Sequence, residues 1–281
     1  MLIYGKSFAD QIQARLINAW QPFSTRYRQP KLSIIQIGDD PASIIYVRNK
    51  LKACEDCGFK AEHHHLSIDT KQASVTKLIS SLNADTSVDG IILQLPLPKH
   101  LPTQELLSQI APSKDVDAIT PYHLGRLASQ QPDLIPCTAQ ATLYMLESIE
   151  PDLTGMHAVI IGASTIVGKP IALSLLHKNA TVTICHKATQ NLLSIVEKAD
   201  IIISACGKPG IIPINKLPKH SIVIDIGITR VGQKICGDIY SSASKPCVRA
   251  ITPVPAGVGP VTVACLLENL FQLYRRHIGI V

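Results

Sequence analysis

His157 to Leu176 reads HAVIIGASTIVGKPIALSLL. His157 to Ile161 is a short apolar run rich in β-branched side chains, which suits a buried strand. Gly162 ends it, and from Val167 to Leu176 the pattern suits a helix. The spacing Gly162-Ala163-Ser164-Thr165-Ile166-Val167-Gly168 departs from GxGxxG, and taken alone it marks only a strand-to-helix turn. The sequence on either side gives it meaning. Thr181 to Cys185 suits a second strand, Leu192 to Lys198 a helix, and Ile201 to Ala205 and Ile222 to Ile226 two more buried strands. Strands alternating with helices predict a parallel sheet with helices on both faces. In such a sheet the helix N-terminal amides after the first strand can hold a pyrophosphate, so the turn is a candidate dinucleotide site.

The end of the second strand bears on which dinucleotide. An acid there would accept from ribose hydroxyls, as in NAD sites. Here the residues are Cys185-His186-Lys187-Ala188-Thr189. An ammonium at Lys187 can meet a 2′-phosphate, which favours NADP without excluding NAD. The alternative is a solvated surface lysine.

Upstream, the first third also alternates. Ser7 to Trp20 places Phe8, Ile12, Leu16 and Trp20 at helical spacing. Lys31 to Gly38 suits a buried strand. Asp39-Asp40-Pro41 suits a helix start, and that helix runs from about Ala42 to Cys57. Phe59 to Leu66 and Val88 to Gln94 suit strands, with a helix from Gln72 to Asn83 between them. Pro-rich sequence from Pro112 to Pro136 suggests a boundary. Ala139 to Glu147 and Val263 to His277 suit helices. With 281 residues, two domains are expected. They are drawn at 1–118, completed by 252–281, and at 119–251.

Composition narrows the class. Hydrophobic residues are 46% and charged residues 17%, which suits a globular chain and not a disordered one. No apolar run reaches 18 residues, and the N-terminus lacks a signal-peptide layout, so no membrane partner is expected and a cytoplasmic location is. Eight cysteines in so long a chain are expected as reduced thiols. The net charge of +6 favours anionic partners, but aromatics at 4% and the lack of a dense basic run argue against nucleic acid.

Tyr46 and Lys50 lie four residues apart, one turn along one helix face. A Lys beside a Tyr can serve in proton transfer when buried; on a surface the two merely snorkel. Around them stand several longer motifs: Tyr46-Val47-Arg48-Asn49-Lys50, Asp89 through Pro98 (DGIILQLPLP), Lys114-Asp115-Val116-Asp117 and Pro136-Cys137-Thr138. Val167-Gly168-Lys169-Pro170, Val223 through Ile228 (VIDIGI) and Thr252 through Pro260 (TPVPAGVGP) complete the set. In order and spacing the chain resembles the bifunctional methylenetetrahydrofolate dehydrogenase/methenyltetrahydrofolate cyclohydrolase family, the FolD type, over nearly its whole length.

The resemblance implies an α/β enzyme with an N-terminal folate domain, a Rossmann-like parallel-sheet cofactor domain and a C-terminal helix returning to the first domain. It implies oxidation of 5,10-methylenetetrahydrofolate with NADP, hydrolysis of the methenyl product to 10-formyltetrahydrofolate, and a homodimer. Lys50 matches the catalytic lysine, Tyr46 the substrate-orienting residue, Gln94 the lysine's partner and Asp117 the pterin-anchoring acid. Gly162, Ala163, Ser164, Lys187, Ile228 and Thr138 match cofactor positions. Tyr46, Leu95, Pro96, Pro253, Pro255 and Gly257 match folate positions. No metal is implied.

Departures from the family pattern cluster at functional motifs. Gly-Arg-Ser has become Gly162-Ala163-Ser164, and His-Ser has become His186-Lys187. Alanine replaces glycine at Ala118, Ala141 and Ala256, where a methyl group strains the backbone if φ is positive. Hydrolysis is therefore expected to be more robust than hydride transfer. The rivals are a quinate/shikimate-type oxidoreductase, which would leave the Gln94 and Asp117 motifs without a role, and a non-catalytic binding or regulatory protein. Two local features are expected to be structural. Cys54-Glu55-Asp56-Cys57 has no second CxxC with which to complete a zinc site. In the run His63-His64-His65 a strand lets only His63 and His65 share a face.

Overall fold

The helix α1 (Gly5–Trp20) turns Ala9, Ile12, Leu16 and Trp20 inward, with Phe8 half-buried. The computed structural model describes residues 1–232, 234–239 and 247–280. Strand β1 (Lys31–Ile37) leads to α2 (Pro41–Asp56). The carboxylate of Asp40 accepts from the Ser43 N–H at 2.8 Å, and Pro41 opens the first turn, where no intrahelical N–H is needed. Next come β2 (Lys60–Leu66), α3 (Gln72–Ala84), β3 (Gly90–Leu93), α4 (Thr103–Ser108) and α5 (Pro121–Ala128). These strands form a parallel three-stranded sheet in the order β2-β1-β3, with Ile34 beside both His63 and Ile92. Ile35, Val75, Ile79, Leu93, Leu106 and Leu107 build its core.

The second half runs α6 (Cys137–Glu147), β4 (His157–Ile161), α7 (Gly168–Leu176), β5 (Thr181–Cys185), α8 (Leu192–Val196), β6 (Ile201–Ser204) and β7 (Ile222–Asp225). A hairpin of β8 (Thr229–Val231) and β9 (Lys234–Cys236) follows, then β10 (Ala250–Ile251) and α9 (Val258–His277). The five-stranded sheet is wholly parallel, in the order β10-β7-β6-β4-β5. From β4 the chain goes outward to β5 and then crosses to β6 on the other side. The topological switch therefore lies between the carboxyl ends of β4 and β6, where open α/β sheets bind ligands.

Chain contacts divide the molecule into two compact units. One comprises Met1–Asp10 and Arg126–Thr262, the other Gln11–Gly125 and Val263–Val281. Leu2 bridges Ile251, and the Ile3 N–H donates to the Ile251 carbonyl at 2.9 Å, which ties the N-terminal residues to the five-stranded sheet.

Some elements depart from expectation. The Pro-rich stretch contains α5, because Pro121 sits in its first turn, where proline is tolerated. α9 begins at Val258, five residues before the expected Val263, and Pro260 is accommodated in its first turn for the same reason. α4, β10 and the β8–β9 hairpin are too short to leave a periodic signature.

Candidate active site

Lys50 lies on the inward face of α2 and is 8% exposed. Its Nζ donates to Gln94 Oε1 at 3.0 Å. Gln94 follows β3 directly and is fixed at three points. Its backbone N–H donates to the Ile35 carbonyl at 2.8 Å, its Nε2 donates to the Leu95 carbonyl at 2.8 Å, and its Oε1 is thereby turned to the lysine. No carboxylate forms an ion pair with Lys50 among the described residues. Tyr46 is half-buried one turn earlier, and burial pushes its phenol pKa up, so the hydroxyl keeps its proton at neutral pH. Leu95, half-buried, and Pro96, exposed, are joined by a cis peptide.

Asp117 is half-buried and makes no hydrogen bond or ion pair with any described residue, so its acceptor oxygens are open to a ligand. It is not within hydrogen-bond reach of Lys50 or Gln94. Its neighbours hold the turn that carries it. Burial raises the Asp115 carboxyl, which accepts from the Thr120 N–H at 2.8 Å, and Asn269 on α9 donates to the Val116 carbonyl at 3.0 Å. Ala118, fully buried, completes the turn at φ +56°. Nothing in the sequence singled out Asn269; a lone polar residue in an otherwise apolar helix stripe is the signal it offered.

In the other unit, Gly162 ends β4 at φ +125°. A Cβ at Gly168 would overlap the Gly162 carbonyl, so α7 starts closer to the strand than any other residue would allow. Ser164 Oγ accepts from the Val167 and Gly168 N–H groups at 3.2 and 3.4 Å. Ala163 beside it is half-buried. At the end of β5 the backbone turns tightly, with the His186 N–H donating to Thr189 Oγ1 at 2.8 Å. Lys187 on that turn is exposed and has no ion pair among the described residues. Thr138 is half-buried in the first turn of α6, and Ile228 is exposed between β7 and β8; no hydrogen bond joins either to the glycine turn. In the 252–257 segment Pro253 and Gly257 are buried and Pro255 is exposed after a cis peptide. Ala256 adopts φ +78°, and its carbonyl accepts from the Gly5 N–H at 2.9 Å.

The remaining candidates are structural. Cys54 and Cys57 are buried and unbonded, and burial pushes their thiols up to about 12 and about 11. The rings of His63 and His65 stack at 5.4 Å on one face of β2, and their Nε2 atoms meet Gln36 Oε1 and Asp39 Oδ1, each at 3.1 Å. No cluster able to hold a metal occurs among the described residues. Asp238 went unnoticed in the sequence. Its carboxylate, fully buried behind the β8–β9 hairpin, gathers the loop after β6.

Comparison with known proteins covers both halves. The family description "Tetrahydrofolate dehydrogenase/cyclohydrolase, catalytic domain" matches residues 3–117, and "Tetrahydrofolate dehydrogenase/cyclohydrolase, NAD(P)-binding domain" matches residues 136–278. The bifunctional protein FolD of Magnetococcus marinus is 43% identical over 277 residues, 98% of this chain and 97% of that protein. The crystal structure of the Campylobacter jejuni FolD enzyme superposes with a TM-score of 0.93 at 40% identity, over 98% of this chain and 99% of that one. The Trypanosoma brucei FolD structure, solved with NADP cofactor and inhibitor, gives 0.94 at 34% identity, over 99% and 98%. Matching in both halves and along its full length, the chain belongs to the tetrahydrofolate dehydrogenase/cyclohydrolase family of FolD-type bifunctional enzymes.

Proposed function

We propose that the protein oxidises 5,10-methylenetetrahydrofolate to the methenyl compound with NADP and hydrolyses that product to 10-formyltetrahydrofolate. The observation that carries the reading is the buried Lys50–Gln94 hydrogen bond, with Tyr46 one turn before Lys50 on α2, within the residues matched to the family's catalytic domain. Hydrolysis adds a water oxygen to the methenyl carbon, breaks that carbon's bond to N5 and releases one proton. Lys50 is the group that takes and returns the proton, Gln94 orients its Nζ, and Tyr46 packs against the pterin. Asp117 accepts from pterin ring N–H groups. Leu95 and Pro96 contribute apolar surface to the folate subsite, and Pro253, Pro255 and Gly257 match the family's folate positions.

The glycine turn fits a dinucleotide by its place: Gly162 ends β4 at φ +125° at the topological switch, and Gly168, where no Cβ fits, brings the start of α7 against it. NADP, when bound, supplies the hydride acceptor. Gly162, Ala163 and Ser164 would hold the diphosphate, Lys187 the 2′-phosphate, and Thr138 and Ile228 would flank the crevice. The protein's task in the oxidation is alignment more than acid–base chemistry.

We draw the functional division at 118/119 and assign 252–281 to the folate half; by chain contact 263–281 group with that half and 252–262 with the five-stranded sheet. No helix among the described residues is long and apolar enough to cross a membrane. The family resemblance implies a homodimer, and the composition argues for a cytoplasmic location without a nucleic-acid or membrane partner. The glycine turn reads Gly162-Ala163-Ser164 in place of Gly-Arg-Ser, which favours an enzyme in which hydrolysis is the stronger activity. Following methenyltetrahydrofolate absorbance tests both steps: formation from the methylene compound with NADP or NAD, and decay of the methenyl compound alone. Strong NADP-dependent oxidation with negligible hydrolysis would reject the ordering, and neither activity would favour a binding protein.

A further inference from the structure

Asp238 follows the β8–β9 hairpin and is fully buried. Its Oδ2 accepts from Ser204 Oγ at 2.9 Å, from the Cys206 N–H at 2.8 Å and from the Gly207 N–H at 3.3 Å. Its Oδ1 accepts from the Lys208 N–H at 2.7 Å. Its own carbonyl accepts from the Gly210 and Ile211 N–H groups at 2.8 and 3.2 Å. The loop after β6 is thus suspended from one residue thirty positions away. The Cys206 thiol also donates to Oδ2 at 3.3 Å, and with no cation pairing with this carboxylate among the described residues, these hydrogen bonds offset its desolvation.

A second carboxylate holds the first. Asp225, buried at the end of β7, accepts from the Asp238 N–H at 3.0 Å and from the Ile239 N–H at 2.8 Å. Gly227 packs so tightly against Asp238 that a Cβ there would overlap its carboxylate.

The placement gives this device a purpose. The loop it holds leaves β6 at the topological switch. The Ala205 N–H donates to the Ile161 carbonyl at 2.8 Å, and a Cβ on Gly162 would overlap the Ala205 carbonyl. The 205–208 backbone therefore forms the wall of the crevice opposite the glycine turn. We propose that Asp238 is a positioning residue for the dinucleotide: it sets the 205–208 wall against the glycine turn and so governs cofactor affinity, while the Lys50 site works without it. This inference rests on the cofactor reading of the glycine turn.

The test uses the purified full-length protein and its Asp238→Asn and Ser204→Ala variants. Calorimetric titration with NADPH, steady-state oxidation and cofactor-free methenyl hydrolysis are measured for each. Asp238→Asn is expected to weaken NADPH binding and raise KM for NADP by roughly tenfold or more, since hydrogen bonds to a charged group are lost. kcat at saturating NADP and the hydrolysis rate should stay within about twofold, because orientation and proton transfer lie elsewhere. Ser204→Ala, which removes one of the donors, should shift affinity the same way by less. Unchanged NADPH affinity in Ser204→Ala and Asp238→Asn, or hydrolysis falling in step with binding, overturns the proposal. If Asp238→Asn does not fold, an unchanged affinity in Ser204→Ala overturns it alone. Wild-type protein that binds neither NADPH nor NADH would instead remove the cofactor reading itself, and this inference with it.

Discussion

Lys50 Nζ and Gln94 Oε1 stand 3.0 Å apart, although the two residues are 44 positions apart in the chain. Gln94 is itself held by the Ile35 and Leu95 carbonyls, so its amide oxygen is turned toward the lysine and its nitrogen away. The lysine on α2 is thereby buried with its Nζ bonded to that amide oxygen.

With Lys50 as the proposed proton-transfer group, hydrolysis should be sensitive to both partners. Lys50→Ala is expected to lower methenyl hydrolysis by roughly 10²–10⁴-fold, the range for loss of a positioned proton-transfer group. Gln94→Ala should cost less, about tenfold or more, because the lysine remains but loses its orienting acceptor. Decay of methenyltetrahydrofolate absorbance without cofactor measures both. Hydrolysis at the wild-type rate in Lys50→Ala would remove the residue from the mechanism.

The two left-handed alanines should respond differently to glycine. An L-residue in this region costs about 1–2 kcal/mol, and glycine gives back about 0.4–1 kcal/mol through unfolded-state entropy. Ala256 is exposed, so Ala256→Gly should raise stability by roughly 0.5–1 kcal/mol. Ala118 is fully buried, and losing its methyl forfeits about 0.8 kcal/mol of burial, so Ala118→Gly should be nearly neutral. Urea-unfolding midpoints distinguish the two; equal gains at both sites would contradict the account.

Acid sensitivity should centre on Asp89. Its carboxylate is fully buried, takes both terminal nitrogens of Arg28 at 2.6 and 2.7 Å, and meets His277 Nδ1 at 3.0 Å. Burial alone would raise its pKa, but these hydrogen bonds outweigh burial and hold it below the usual carboxylate range. A depressed folded-state pKa stabilises above the unfolded value, near 3.9, and that contribution disappears as pH falls through the folded value. Below about pH 4 the wild type should therefore lose stability more steeply than Asp89→Asn. At pH 7 the variant should be weaker by roughly 2 kcal/mol, less than for a fully buried pair because Arg28 is partly exposed. Parallel stability-versus-pH curves would refute this assignment.

Cofactor preference should turn on two positions. Lys187→Ala is expected to raise KM for NADP by about tenfold and leave NAD almost unaffected, as an exposed ammonium matters only to the 2′-phosphate. Ala163→Arg should lower KM for NADP, since a guanidinium adds a bidentate partner. Steady-state oxidation with each dinucleotide measures both, and equal changes for NADP and NAD in Lys187→Ala would show that the lysine does not read the phosphate.

Local chemistry was enough to delimit the main elements. β4 and β5 have the bounds their apolar runs predict, and α2 begins where Asp40 and Pro41 place it, because strand runs, caps and turn glycines act over a few residues. The motifs around Tyr46, Lys50, Gln94 and Asp117 identified the family from sequence order alone. The positive φ of Ala118 and Ala256, the turning of Gln94 by Ile35 and Leu95, and the suspension of the 205–211 loop from Asp238 were decided only by the tertiary structure. Each depends on groups far apart in the chain, and no local propensity encodes which buried carboxylate a distant amide will find.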